Sequence, residues 1–124
     1  MVVLAQERVL PAGLEAQTAR IVQILQQQAE RYSAIGDAPK ISIDELRFAC
    51  VTDPSNQQAG YEGIWRNRRG DRCGSLTFNS DGSFYAEYDL FCPHPRDERW
   101  FVEMITAWGA GEKVHSEAKL IPRM

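Results

Sequence analysis

Cys92 and His94 stand two residues apart in the run Cys92-Pro93-His94-Pro95. Thiolate and imidazole are good zinc ligands, and a nucleophilic cysteine needs a base such as histidine. Two ligands in a proline-braced loop cannot close a tetrahedral site by themselves, and His115 is the only other histidine. A structural loop is the simpler reading, so no metal is assigned. Glu87 and Asp89 are the second candidate pair. Paired carboxylates perform acid–base work when burial and repulsion split their pKa values. Their alternation with Ala86 and Tyr88 puts them on the wet face of a strand, where an acidic patch is the better expectation. Arg69-Gly70-Asp71 reads as a turn, and no dinucleotide, Walker, nucleophile-elbow or calcium-loop motif occurs. No catalytic residue and no cofactor is therefore assigned, and the chain reads as a non-enzyme.

Aromatic residues carry more information. Trp65, Trp100 and Trp108 with Tyr61, Tyr85 and Tyr88 are dense over half the chain, and any that stay exposed make good interface anchors. Arg66, Arg68 and Arg69 among them could serve a base-stacking sheet. The net charge of −3 and the absence of a long basic run argue against nucleic acid and against an anionic membrane. Partner-binding residues are instead expected at Glu62, Tyr85, Glu87 and Asp89. One ring in an acidic surround would steer a basic protein at long range and then hold it by burial.

The elements that would position these residues follow from periodicity. After the break Pro11-Ala12-Gly13, the stripe Leu14, Ile21, Leu25, Tyr32 predicts a helix over Leu14 to Ala34, stopped near Gly36. Gln26-Gln27-Gln28 reads as its solvated side. From Ile41 the period changes to two, giving a strand around Phe48 that ends at Asp53-Pro54-Ser55-Asn56, another around Tyr61 to Arg66, and the hairpin Leu76-Thr77-Phe78 / Phe84-Tyr85-Ala86-Glu87-Tyr88. A three-residue loop Ser80-Asp81-Gly82 sets Phe78 opposite Phe84 and Leu76 opposite Ala86, keeping one face apolar. Phe91 to Pro95 reads as a rigid connector. Trp100, Phe101, Met104, Ile105 and Trp108 then fall on a helical stripe, so a second helix is predicted near 97–108, ending at Gly109; the rival strand alternation is Trp100, Val102, Met104, Thr106. Val114, Ser116, Ala118 and Leu120 suggest a last edge strand. The expected fold class is α+β: an N-terminal helix packed on an antiparallel sheet of about four strands, with Leu25, Phe48, Leu76, Phe78, Phe84 and Ala86 in the core.

At 124 residues with 44% hydrophobic residues, the chain fits one domain over 1–124, with 1–12 as a loose N-terminal segment. Three widely spaced cysteines, Cys50, Cys73 and Cys92, are an odd set. Without a secretion signal they suggest free thiols and a cytoplasmic location. No run of apolar residues is long enough for a membrane helix.

The segment Ser75 to Asp89, with its Ser80-Asp81-Gly82 turn and acidic-aromatic strand, followed by Arg99-Trp100, resembles the YezG-like family of bacterial immunity proteins. The resemblance covers the middle third of the chain. It implies an α+β protein that neutralises a toxin, often a nuclease, by direct contact. The partner would be a basic toxin domain, which an acidic inhibitor complements. Two rival readings are a small enzyme or ligand binder using a helix–sheet pocket, and a homodimeric adaptor module.

Overall fold

Strands cover Arg47–Thr52 and most of the chain from Ala59 to Pro122. The computed structural model describes residues 10–11, 13–52 and 59–123. Most of the N-terminal segment 1–12 and the strand-ending run Asp53 to Asn56 lie outside the described residues. Among the described residues, one α-helix, α1 (Glu15–Arg31), and a short 3-10 turn (Ile43–Glu45) precede six strands: β1 (Arg47–Thr52), β2 (Ala59–Arg66), β3 (Arg72–Phe78), β4 (Ser83–Pro93), β5 (Trp100–Ala110) and β6 (Lys113–Pro122). Each strand pairs antiparallel with the next, so the sheet order is the chain order. The fold is α+β, and α1 lies across β4, β5 and β6.

The second helix expected near 97–108 is not found; 97–99 end a link and 100–108 belong to β5. Its aromatic and β-branched residues, Trp100, Val102, Ile105, Thr106 and Trp108, suit a pleated surface, and β5 gains ladders on both sides from β4 and β6. Local periodicity could not weigh those partners. The sheet therefore has six strands where about four were expected, and the tail is its last edge strand. Nor is Phe91 to Pro95 a connector throughout, because β4 runs to Pro93 and the link is His94 to Arg99. Gly109 ends no helix. Its φ of 153° and the backbone of Lys113 against the space a Cβ would take explain the glycine.

The β3–β4 hairpin has the expected register, Phe78 opposite Phe84 and Leu76 opposite Ala86. Gly82 takes φ 91°, and the Asp81 carboxylate accepts bonds from the Ser83 amide at 2.9 Å and the Ser83 hydroxyl at 2.6 Å. Those two bonds hold the Asp81 carboxyl below its ordinary pKa. At Arg69-Gly70-Asp71 the chain does turn, with the Asn67 side chain accepting from the amides of Arg69 and Asp71.

Helix α1 stops at Arg31, before the expected Ala34, and Gly36 (φ 86°) serves a separate turn closed by the Asp37 amide on the Ala34 carbonyl. Ile21, Leu25 and Ala29 meet Phe48, Trp65, Leu76, Phe78, Phe84, Ala86, Ile105 and Ala107 in one core. All six expected core residues are in it. The segment after α1 caps β1 and β2: Leu46 and Ile41 are buried, and the Trp65 indole donates to the Ser42 carbonyl at 2.8 Å. Gln26 pins that segment, accepting from the Ile41 amide (2.8 Å) and donating to the Pro39 carbonyl (3.1 Å), while Gln28 donates to the Ser116 hydroxyl. Two of the three glutamines are thus structural, and only Gln27 is fully on the solvated side.

Candidate functional site

The face of the sheet turned away from α1 carries the expected partner-binding residues. Strand alternation decides this. On β4, Phe84, Ala86 and Tyr88 share the covered face, which leaves Tyr85, Glu87 and Asp89 on the open one. Register then builds rows across the strands. Glu62, Thr77, Tyr85, Trp108 and His115 form one row; Ile64, Ser75, Glu87, Thr106 and Glu117 form the next. Tyr85, Glu87 and Asp89 are brought together. Glu62 shares their face but stands two strands away, with Thr77 between it and Tyr85.

Trp108 and His115 were missed as site residues because Trp108 was assigned to a helix. Read as a strand, continuing the alternation Met104, Thr106 by one step would have found Trp108; Trp100 and Val102 lie beyond the irregularity between Val102 and Met104. The Trp108 ring stacks on the His115 ring, centroids 5.8 Å apart and planes 25° from parallel. Tyr85, 44% exposed, is paired with Trp108 in the register. A ribbon of three rings therefore crosses β4, β5 and β6 where one anchor was expected.

Carboxylates border the ribbon. The Tyr85 hydroxyl donates to Glu87 Oε2 at 3.2 Å. Partial burial, then the charges of Glu87 and Glu117, push the Tyr85 phenol above its ordinary pKa, so it stays a donor. Asp89 is also pushed up, by burial and by Glu87, with Glu103 adding to the effect and Arg72 opposing it. Glu103 reaches this group through paired irregularities, one on β4 between Asp89 and Cys92 and one on β5 between Val102 and Met104. Such bulges re-aim side chains. Two cations flank the strip: Arg72 lies 4.0 Å from Glu87, and Lys119 lies 3.7 Å from Glu103. Both pairs are largely solvated and contribute little to stability. The strip is acidic across β4 to β6, but partly neutralised at its ends.

Cys92 and His94 form no dyad. The Cys92 thiol donates to the Tyr32 carbonyl (3.4 Å), and burial pushes its pKa up, the reverse of what a thiolate nucleophile needs. His94 Nδ1 accepts the amides of Arg96 (3.1 Å) and Asp97 (3.2 Å), and its ring meets Tyr32 edge-on. This is the work of a loop staple. Cys92 also sits on the α1 side of the sheet, away from Glu87 and Asp89, so these candidates share no pocket. The α1–sheet interface is filled by residues of zero exposure, among them Ile21, Leu25, Leu76 and Ile105. Among the described residues, no group of three or more His, Cys, Asp or Glu is placed to hold a metal ion, and no helix is long and apolar enough to cross a membrane. Cys50, Cys73 and Cys92 are free thiols.

No family model, curated protein or solved structure matches this chain.

Proposed function

We propose that this chain acts by binding a protein partner through the open face of its sheet, in the manner of an immunity protein neutralising a basic toxin domain. The observation that carries the proposal is the ribbon Tyr85, Trp108 and His115, left uncovered by α1 and bordered by Glu87, Asp89 and Glu117. Rings fixed on strands give contact area at low entropic cost, and surrounding carboxylates raise the encounter rate with a basic surface. Such a role needs a surface and no reaction centre. It is also compatible with free thiols and a modest negative charge, as in a cytoplasmic inhibitor.

The experiment is a quantitative capture from the native cell with wild type and with the Tyr85→Ala/Trp108→Ala variant. The expected result is a basic protein retained by wild type and lost from the variant, with toxicity of that protein suppressed by wild type only. Equal retention by both forms would reject the open face as the binding surface.

A further inference from the structure

We infer that two copies of this chain pair through the free edge of β6, with Ala118 opposite its own counterpart, to make one continuous sheet. The inference does not rest on the partner proposed above, because the contact is the backbone edge of β6, and its register is set by side chains at that edge.

Among the described residues, β6 is the last strand, and nothing pairs beyond it. Its backbone direction can be worked out from both ends. Ala110 and Lys113 close the β5–β6 hairpin around Gly111-Glu112, and past the other end the Arg123 amide donates to the Arg99 carbonyl at 2.9 Å. Lys113 and Arg123 therefore point their backbone groups at β5. Since direction alternates along a strand, Val114, Ser116, Ala118 and Leu120 point theirs outward. Edges of this length are commonly blocked by charge or proline. Here Lys113 and Pro122 stand at the two ends of β6, and the central charges Glu117 and Lys119 (which also reaches Glu103 of its own copy at 3.7 Å) are of opposite sign, so they select a register and do not forbid pairing.

A twofold axis normal to the sheet continues the open face of one copy into that of the other, so open-face side chains stand beside open-face ones. With Ala118 at the axis, Glu117 of each copy faces Lys119 of the other, and His115 faces Ile121. Moving the axis to Glu117 sets glutamate against glutamate, and moving it to Lys119 sets lysine against lysine; each is unfavourable for directly opposed residues. Pairing centred on Ala118 also covers Ile121, a large apolar side chain left 37% exposed. It would extend the ring ribbon, because His115 already stacks on Trp108.

Sedimentation equilibrium over a range of protein concentration tests the inference. Wild type should show a monomer–dimer equilibrium. Ala118→Pro removes an outward N–H while leaving the β5 ladder intact, a change edge strands tolerate, and should give monomer with an unchanged circular dichroism spectrum. Glu117→Lys should weaken the dimer by at least about tenfold, and adding Lys119→Glu to it should restore association. Glu117 is exposed, so this pair of variants remains informative even where the proline disturbs folding. A wild type that stays monomeric throughout, a dimer indifferent to Ala118→Pro in the folded protein, or a double charge swap no tighter than the single reversal would each overturn the pairing.

Discussion

The two faces of β4 are built from alternate residues of one strand and have opposite fates. Phe84 and Ala86 are 2% and 0% exposed beneath α1, while Tyr85 between them is 44% exposed. On the covered face, each side chain is fixed by what it touches across the α1–sheet interface. On the open face, rings and carboxylates are positioned by strand register, and among the described residues no helix packs over them, although Ile64, Ser75 and Thr106 in the Glu87 row are buried between their neighbours. An aromatic ribbon is expected to contribute little to stability there, and the proposed partner-binding role rests on that contrast.

The largest expected effect breaks the covered face. Leu25→Ala should cost about 2–5 kcal/mol of unfolding free energy, read from urea denaturation, because Leu25 is wholly buried among residues that cannot close the cavity. A smaller loss is expected for Trp65→Phe, on the order of 1–2 kcal/mol, since it leaves the Ser42 carbonyl without its indole donor and trims a buried ring. On the open face, Tyr85→Ala should shift stability by no more than about 0.5–1 kcal/mol. A cost comparable to Leu25→Ala would mean that the open face is structural and would dissolve the contrast.

Two carboxylates sharpen the comparison through pH, with small effects because both are largely solvated. Asp97, in the β4–β5 link, is held at about 2 by its hydrogen bonds to Arg99, against an ordinary 3.8. Its contribution is present above pH 3.8 and is lost as pH falls through about 2. Asp97→Asn should therefore lower the urea midpoint at neutral pH and have no effect below about pH 2. Asp89 has the opposite sign. Its carboxyl is pushed up by burial and by Glu87, so its ionisation costs the fold stability as pH rises through that raised range. Asp89→Asn should leave the midpoint unchanged or raised at neutral pH, with no difference below pH 3.8.

Much of this architecture could be read from residue order, and the hairpin shows why. Phe78, Phe84, Leu76 and Ala86 permit one loop length that keeps an apolar face, and the loop chemistry of Asp81-Gly82 agrees with it. Such a decision is local. At 97–108 the apolar residues satisfy both periods, and what settles the matter is the pair of ladders with β4 and β6, which no window of sequence contains. The same error hid Trp108 and His115 from the candidate site. Glu103 was hidden for another reason: a bulge turns it to the acidic group, and bulges have little signature without a glycine. Gln26 and Gln28 looked like solvent-facing helix because hydrogen bonds to Pro39, Ile41 and Ser116 depend on a segment and a strand that come later in the chain.

The most direct test of the open face is the rate at which the captured partner associates with the Glu87→Lys/Asp89→Lys variant, measured by stopped flow across a range of salt. Both side chains lie on the open face of β4, so the variant should keep the wild-type fold by circular dichroism. If the face steers and holds a basic partner, association slows, affinity falls, and the dependence of the rate on salt flattens. Wild-type affinity and rate at every salt concentration, in a normally folded variant, would contradict the account.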